Sequence, residues 1–121
     1  MTGTKKDITE RKDIIELVDR FYDKVKIDEL LGPVFAHLDW PKHMPTMYNF
    51  WSSMMLGDMS YEGNPFQKHL NLQIDAKHFT RWLELFRKTV DELFEGPRAV
   101  EIKNRAQSIA GVFQYKLGLM N

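Results

Sequence analysis

The sequence has no cysteine, and this absence removes several kinds of chemistry at once. Disulfides, thiolate metal sites, iron–sulfur clusters and cysteine nucleophiles all require that side chain. Histidines, carboxylates and an external cofactor therefore remain as the sources of chemistry. The composition is compatible with a reducing compartment.

Long apolar runs and an excess of charge of one sign are also missing. No stretch approaches the roughly 20 apolar residues that a membrane span needs, and the first residues lack the apolar core of a signal peptide. The 17 basic and 17 acidic side chains give a formal net charge of +0, which offers no basic surface to nucleic acid or anionic lipid. We therefore expect a cytoplasmic protein that binds neither nucleic acid nor a membrane.

The 121 residues suffice for one domain, and their apolar side chains recur at the three- and four-residue steps typical of helices. No window alternates with a period of two for long enough to form a strand. Leu30 to Phe35 predicts only a single turn followed by a corner, because Gly32-Pro33 interrupts it. We expect an all-α fold with four substantial helices: from about Thr9 to Ile27, from Trp40 to Leu56, from about Ala76 to the stop at Gly96-Pro97, and from there to about Leu117.

A long insert separates the second and third of these helices. About eighteen residues lie between Gly57 and Ala76, with turn chemistry and only one short helical piece from Pro65 to Leu72. A plain four-helix bundle, the commoner architecture, has short connections. Because long ordered inserts in small domains are more often functional than not, we interpret this one as part of a site.

The four histidines are His37, His43, His69 and His78, and their spacing disfavours a zinc hydrolase. Each alone is more often a surface or hydrogen-bonded residue. His43, however, opens a helix face otherwise formed by Met47, Phe50 and Met54, and His69 lies inside the insert. Together these two suggest a cofactor held between two helical segments.

Two aromatic residues with a polar hydrogen fall on apolar helix faces. Tyr22 follows Phe21 on the core side of the first helix, and Trp82 lies on the core stripe of the third. A buried phenol or indole needs a hydrogen-bond partner, so either residue can serve a site. The alternative is that both are ordinary core aromatics with their polar tips at the rim.

An ordered set of short motifs resembles the group III truncated haemoglobins. The resemblance runs from about residue 10 to 117 and keeps both order and spacing. The motifs are Phe21-Tyr22, Leu31-Gly32-Pro33-Val34-Phe35, His43, Asn49-Phe50-Trp51, Gly63-Asn64-Pro65, Lys68-His69-Leu70, His78-Phe79-x-x-Trp82-Leu83-x-Leu85-Phe86 and Arg105-Ala106-x-x-Ile109-Ala110.

The resemblance implies a truncated globin fold, a two-over-two helical sandwich around a haem b (iron protoporphyrin IX). It implies one globin domain over residues 10–119 after an N-terminal tail, residues 1–9. His69 resembles the ligand to the iron, and Tyr22, His43 and Trp82 resemble the polar set on the ligand-binding side. The residues expected to line the porphyrin are Phe35, Met47, Phe50, Phe79 and Phe86.

The function implied is reversible binding, and with it transport, of dioxygen or another small diatomic ligand at a five-coordinate iron. An alternative is a haem enzyme for nitric oxide dioxygenation or peroxide chemistry. Such an enzyme depends on an external reductase, because no flavin or nicotinamide site fits in this chain. A haem-free helical interaction module is a third interpretation. We expect the protein to be a monomer.

Overall fold

The computed structural model describes residues 5–36, 38–57 and 75–116, and every regular element in these ranges is a helix. The predicted all-α architecture is confirmed for the described residues. The predicted turn at residues 30–35 is the short α2. The predicted helical piece from Pro65 to Leu72 lies outside the described residues. The helices are α1 (Arg11–Ile27), α2 (Gly32–Phe35), α3 (Trp40–Leu56), α4 (Ala76–Leu93) and α5 (Pro97–Lys116).

Helix α1 lies at the centre of the fold. It packs against α3 and α4, while α5 packs against α4, so that the pairs α1–α3 and α4–α5 meet through the contact between α1 and α4. The buried face of α1 carries Ile14, Leu17, Val18, Phe21 and Val25, at the spacing of a single helical stripe. Burial of this stripe by two partners fixes the position of the residues at the C-terminal end of α1.

Helix α1 begins two residues later than the sequence predicts, and Asp13 supplies the reason. The carboxylate of Asp13 accepts hydrogen bonds from the backbone N–H groups of Thr9, at 2.9 Å, and Glu10, at 3.1 Å. It also forms an ion pair with Lys6 at 2.9 Å. A carboxylate that reaches back in this way satisfies donors which would otherwise continue the helix, so the first helical residue is Arg11.

The buried stripe of α3 differs from the predicted face. The sequence predicts a face of His43, Met47, Phe50 and Met54, whereas the stripe buried in the core runs through Met47, Trp51 and Met55. Phe50 and Met54 are only partly buried at its edge. Steps of four residues keep Met47, Trp51 and Met55 over α1, so the neighbouring stripe lies at the margin of the helix pair.

Residues 5–10, the described part of the chain before α1, pack on the helices. Ile8 is fully buried, and the carboxylate of Asp7 accepts hydrogen bonds from the backbone N–H groups of Arg98, at 3.0 Å, and Ala99, at 2.9 Å. Asp7 thereby caps the first turn of α5. Gly96, at φ +135°, permits this approach, because a Cβ there would lie 2.7 Å from Cγ of Asp7. The predicted domain boundary at residue 10 stays a prediction.

The corner between α1 and α2 is tied to α4. The carboxylate of Asp28 accepts hydrogen bonds from the backbone N–H groups of Leu30 and Leu31, and it forms an ion pair with Nε of Arg81 at 2.7 Å. These bonds order the turn that leads into α2.

Among the helices of the described residues, none is both long enough and apolar enough to cross a bilayer.

Candidate functional site

Tyr22 occupies the last two turns of α1 and is enclosed by other aromatic side chains. It is 5% exposed, and its ring lies 4.9 Å from Phe21, 6.4 Å from Phe35, 5.6 Å from Trp40 and 5.1 Å from His43, between ring centroids. Burial raises the pKa of the Tyr22 hydroxyl well above its ordinary value. The hydroxyl therefore keeps its proton at neutral pH and can donate a hydrogen bond.

His43 comes from the first turn of α3. That helix begins at Trp40 with Pro41 in its first turn, where a missing N–H costs nothing. One turn of helix then brings Trp40 and His43 onto the same face, with ring centroids 5.6 Å apart. The His43 ring stands at 86° to that of Tyr22, and its Nε2 atom is buried.

Trp82, on α4, contacts Phe21, the neighbour of Tyr22. Its ring meets Phe21 edge to face at 5.7 Å and stacks on Phe86 at 5.6 Å with an interplanar angle of 13°. Phe21 thus contacts both Tyr22 and Trp82. Of the three predicted polar residues, Tyr22 and His43 are in ring contact, and Trp82 is linked to Tyr22 through Phe21, which contacts both.

The residues predicted to line a porphyrin fall into different surroundings. Phe35 contacts Tyr22, and Phe50 contacts Trp51 at 5.2 Å. Met47 is buried on α3. With Tyr22 they belong to one hydrophobic cluster, to which α1, α2 and α3 all contribute.

Phe86 lies deeper in the core than the residues on α2 and α3, and Phe79 lies in a different cluster. Phe86 is fully buried between Trp51, at 4.9 Å, and Trp82. Phe79 belongs to a separate small cluster with Ala110 and Phe113, against which Trp82 packs. Trp82 therefore links the main core to the cluster around Phe79.

The predicted iron ligand, His69, lies outside the described residues, as does His37. The His78 side chain caps the start of α4, where its Nδ1 accepts a hydrogen bond from the backbone N–H of Asp75 at 3.0 Å. In the described part of the chain, no group of three or more acidic or histidine side chains gathers around a common point to hold a metal ion. The assignment of His69 stays a prediction.

Sequence reasoning missed two aromatic residues next to the site. Trp40 contacts both Tyr22 and His43, and Trp51 stacks on Phe86. The position of Trp40 three residues before His43 was a usable signal, because such residues share a helix face. Its contact with Tyr22 depends on how α3 crosses α1, which no local pattern specifies.

The residues present fit a haem. A haem is a flat, largely apolar group. Polar side chains beside it control how a small ligand binds to its iron, and apolar side chains keep water away. Tyr22 supplies a buried phenol and His43 a buried imidazole nitrogen, and both are surrounded by aromatic side chains. These are the polar groups that such a cofactor needs beside it. Residues from α1, α2 and α3 would contact it.

The arrangement of helix pairs around this site is that of a truncated globin. A family model of bacterial-like globins matches residues 6–112. The Group 3 truncated hemoglobin ctb of Campylobacter jejuni is 36% identical over 118 residues, which cover 89% of this chain and 93% of that protein. The chain belongs to the group III truncated haemoglobins.

Comparison with solved structures agrees. The crystal structure of a group III truncated hemoglobin from Campylobacter jejuni matches with a TM-score of 0.85 and 35% identity, covering 94% of this chain and 95% of its own. A thermostable hemoglobin from Thermobifida fusca matches with a TM-score of 0.75 over 85% of this chain and 89% of its own, and at 23% identity it bears on the fold alone. The Group 1 truncated hemoglobin GlbN of Nostoc commune is 33% identical over 67 residues, 54% of this chain and 57% of that protein.

Proposed function

We propose that this protein reversibly binds dioxygen or another small diatomic ligand at the iron of a haem b, with His69 as the protein ligand to the iron. The observation that carries the proposal is the contact between buried Tyr22 and His43 inside an aromatic surround. When bound, the haem supplies an iron atom with one open coordination position. The protein is taken to act as a cytoplasmic monomer, as the sequence predicts.

Tyr22 is the residue best placed to act on such a ligand. Its hydroxyl stays protonated because burial raises its pKa, so it can donate a hydrogen bond to a ligand that carries partial negative charge. A hydrogen bond of that kind contributes about 1.5 to 3 kcal/mol. Since it forms only after the ligand has arrived, it slows release far more than capture.

Trp82 and the apolar residues have supporting roles in the proposal. The indole N–H of Trp82 is a second donor, from a helix that packs on α1. Phe35, Met47 and Phe50 would contact the porphyrin and exclude water, as would Phe79 and Phe86 on α4. His69 would hold the iron through one imidazole nitrogen, while a hydrogen bond from its other nitrogen fixes the ring orientation.

The experiment is haem titration of the purified protein followed by ligand kinetics. We expect a Soret band, one haem per chain, and a small rate constant for dioxygen release. A protein that shows no Soret band after titration would refute the proposal. Nitric oxide turnover and autoxidation, measured on the same sample with and without a reductase, separate ligand binding from the enzymatic alternative.

A further inference from the structure

Trp40 completes a cluster of three rings with Tyr22 and His43. The centroid distances are 5.1 Å for Tyr22–His43, 5.6 Å for Tyr22–Trp40 and 5.6 Å for Trp40–His43. The interplanar angles are 86°, 66° and 89°, so every pair meets edge to face, which is a favourable aromatic geometry. Each ring is thus in contact with the other two.

Lys26 covers the Trp40 ring from the protein surface. Its Nζ lies 4.5 Å from the centroid of Trp40, within the range of a cation–π contact. Lys26 is an exposed residue one helical turn after Tyr22, while Trp40 is partly buried. Trp40 therefore lies between an ammonium group at the surface and the buried Tyr22–His43 pair.

We propose that Trp40 is a positioning residue that holds the His43 ring against Tyr22, and that Lys26 keeps Trp40 in place. His43 lies in the first turn of α3, between Pro41 and Pro45. The contact with Trp40 supplies a restraint from its own helix face, and the contact with Tyr22 supplies one from α1. Access of a ligand to the pocket then depends on a pair at the surface, Lys26 and Trp40.

This inference rests on the proposed function, because it concerns a pocket that takes up a small ligand. Loss of an aromatic contact of the usual strength would raise the fraction of molecules in which the His43 ring has left Tyr22 by about twofold to tenfold. We expect Trp40→Leu to raise the rate of carbon monoxide association by that factor. Trp40→Phe retains a ring at the same position and should restore most of the slower rate.

A double variant shows whether Trp40 acts by positioning His43 or because its own indole blocks the entry of the ligand. If Trp40 acts through His43, then Trp40→Leu has no further effect on association once His43→Leu is present. An equal acceleration by Trp40→Leu in both backgrounds would overturn the inference, since it would show that the indole itself blocks entry. Phe94→Leu, a change to a buried aromatic residue that has no part in the site, is the control for general loosening of the core and should leave association unchanged.

The role of Lys26 is tested with matched charge changes. Lys26→Met removes the cation but keeps the chain length, and we expect it to accelerate association in the same direction as Trp40→Leu but less. Lys26→Arg should retain the slower rate, because a guanidinium also stacks on an indole. Lys77→Met removes the same charge from an exposed residue of α4 and should have no effect. Equal rates for Lys26→Met and the unaltered protein would overturn the part assigned to Lys26.

A spectroscopic reading makes failure of this inference distinguishable from failure of the proposed function. Nuclear Overhauser contacts between the ring protons of His43 and Tyr22 report whether the two rings stay together in the protein as isolated. We expect Trp40→Leu, but not Phe94→Leu, to weaken these contacts. Unchanged contacts between His43 and Tyr22 in Trp40→Leu overturn the inference, whereas absence of a Soret band from the unaltered protein refutes the proposed function alone.

Discussion

The rings of Tyr22 and His43 meet edge to face, at 5.1 Å between centroids, across the contact between α1 and α3. Tyr22 lies in the C-terminal half of α1, which packs against both α3 and α4, whereas His43 lies in the first turn of α3, beside Pro41. This difference suggests different roles in ligand binding, which the first two predictions address.

Tyr22→Phe should accelerate dioxygen release by about tenfold to a hundredfold, because it removes one charge-assisted hydrogen bond and little else. Carbon monoxide, which is less polar when bound, should respond less. Because burial raises the pKa of Tyr22, the hydroxyl should still be protonated at about pH 10, so the ratio of the dioxygen release rates of the two proteins should be the same at about pH 8 and about pH 10. Stopped-flow displacement across that pH range measures both effects, and a Tyr22→Phe rate within twofold of the unaltered protein would show that this hydroxyl does not contact the ligand.

Trp82→Phe and His43→Leu should differ in the rate constant that they change. If Trp82 donates to the ligand directly, Trp82→Phe accelerates release by about tenfold to a hundredfold. If His43 controls access, His43→Leu changes association more than release. Flash photolysis and stopped flow give both constants for each variant. Equal acceleration of release by the two variants would place His43 among the direct donors instead.

His69→Ala should abolish high-affinity haem binding, because the resemblance makes this residue the ligand to the iron. His78→Ala is the matched control, since His78 caps α4 through Asp75 and should cost only part of a capping interaction, about 1 kcal/mol. His37→Ala should also keep the haem. The measurement is the Soret band during haem titration without added imidazole, and an intact band in His69→Ala would require another residue as the ligand.

The sequence predicted the helices well because their signals are local. Apolar residues at helical spacing, with Gly57 and Gly96-Pro97 as stops, are sufficient to place α3 and α4 to within a few residues. The late start of α1 was not predictable in the same way. It depends on a carboxylate three residues inside the helix that takes two backbone donors, which is one of several outcomes that the same residues allow.

The site was predictable in part. Burial of Tyr22 follows from its position beside Phe21 on an apolar stripe, and the structure agrees. The same apolar pattern cannot distinguish a residue that lines a cofactor from one that fills the core. Phe86, for example, has a fully buried ring between Trp51 and Trp82, and either role is compatible with that burial. Contacts between helices, such as that of Trp40 with Tyr22, need the crossing geometry of α1 and α3 as well.

Asp13→Asn should destabilise the protein at neutral pH and much less in acid. Burial alone would raise the pKa of Asp13, but hydrogen bonds from the Thr9 backbone, from Lys6 and from the Glu10 backbone outweigh it and hold the pKa below its ordinary value. A carboxylate whose pKa is lower in the folded than in the unfolded state stabilises the fold at pH values above its unfolded pKa, about 3.9. That stabilisation is lost as the pH falls through the folded value.

The asparagine variant keeps the shape of the side chain but loses its charge, and its amide would meet donors on every side. We expect a loss of about 1 to 3 kcal/mol in the free energy of unfolding at pH 7, from urea denaturation at equal haem loading. The difference should shrink steadily as the pH is lowered below about 4, because the unaltered protein then loses the same interactions by protonation. Asp23→Asn, an exposed carboxylate on the same helix, is the control and should change the free energy of unfolding by less than about 0.5 kcal/mol at either pH. A deficit in Asp13→Asn that is the same at pH 7 and in acid would mean that packing, and not the charge of Asp13, anchors the start of α1.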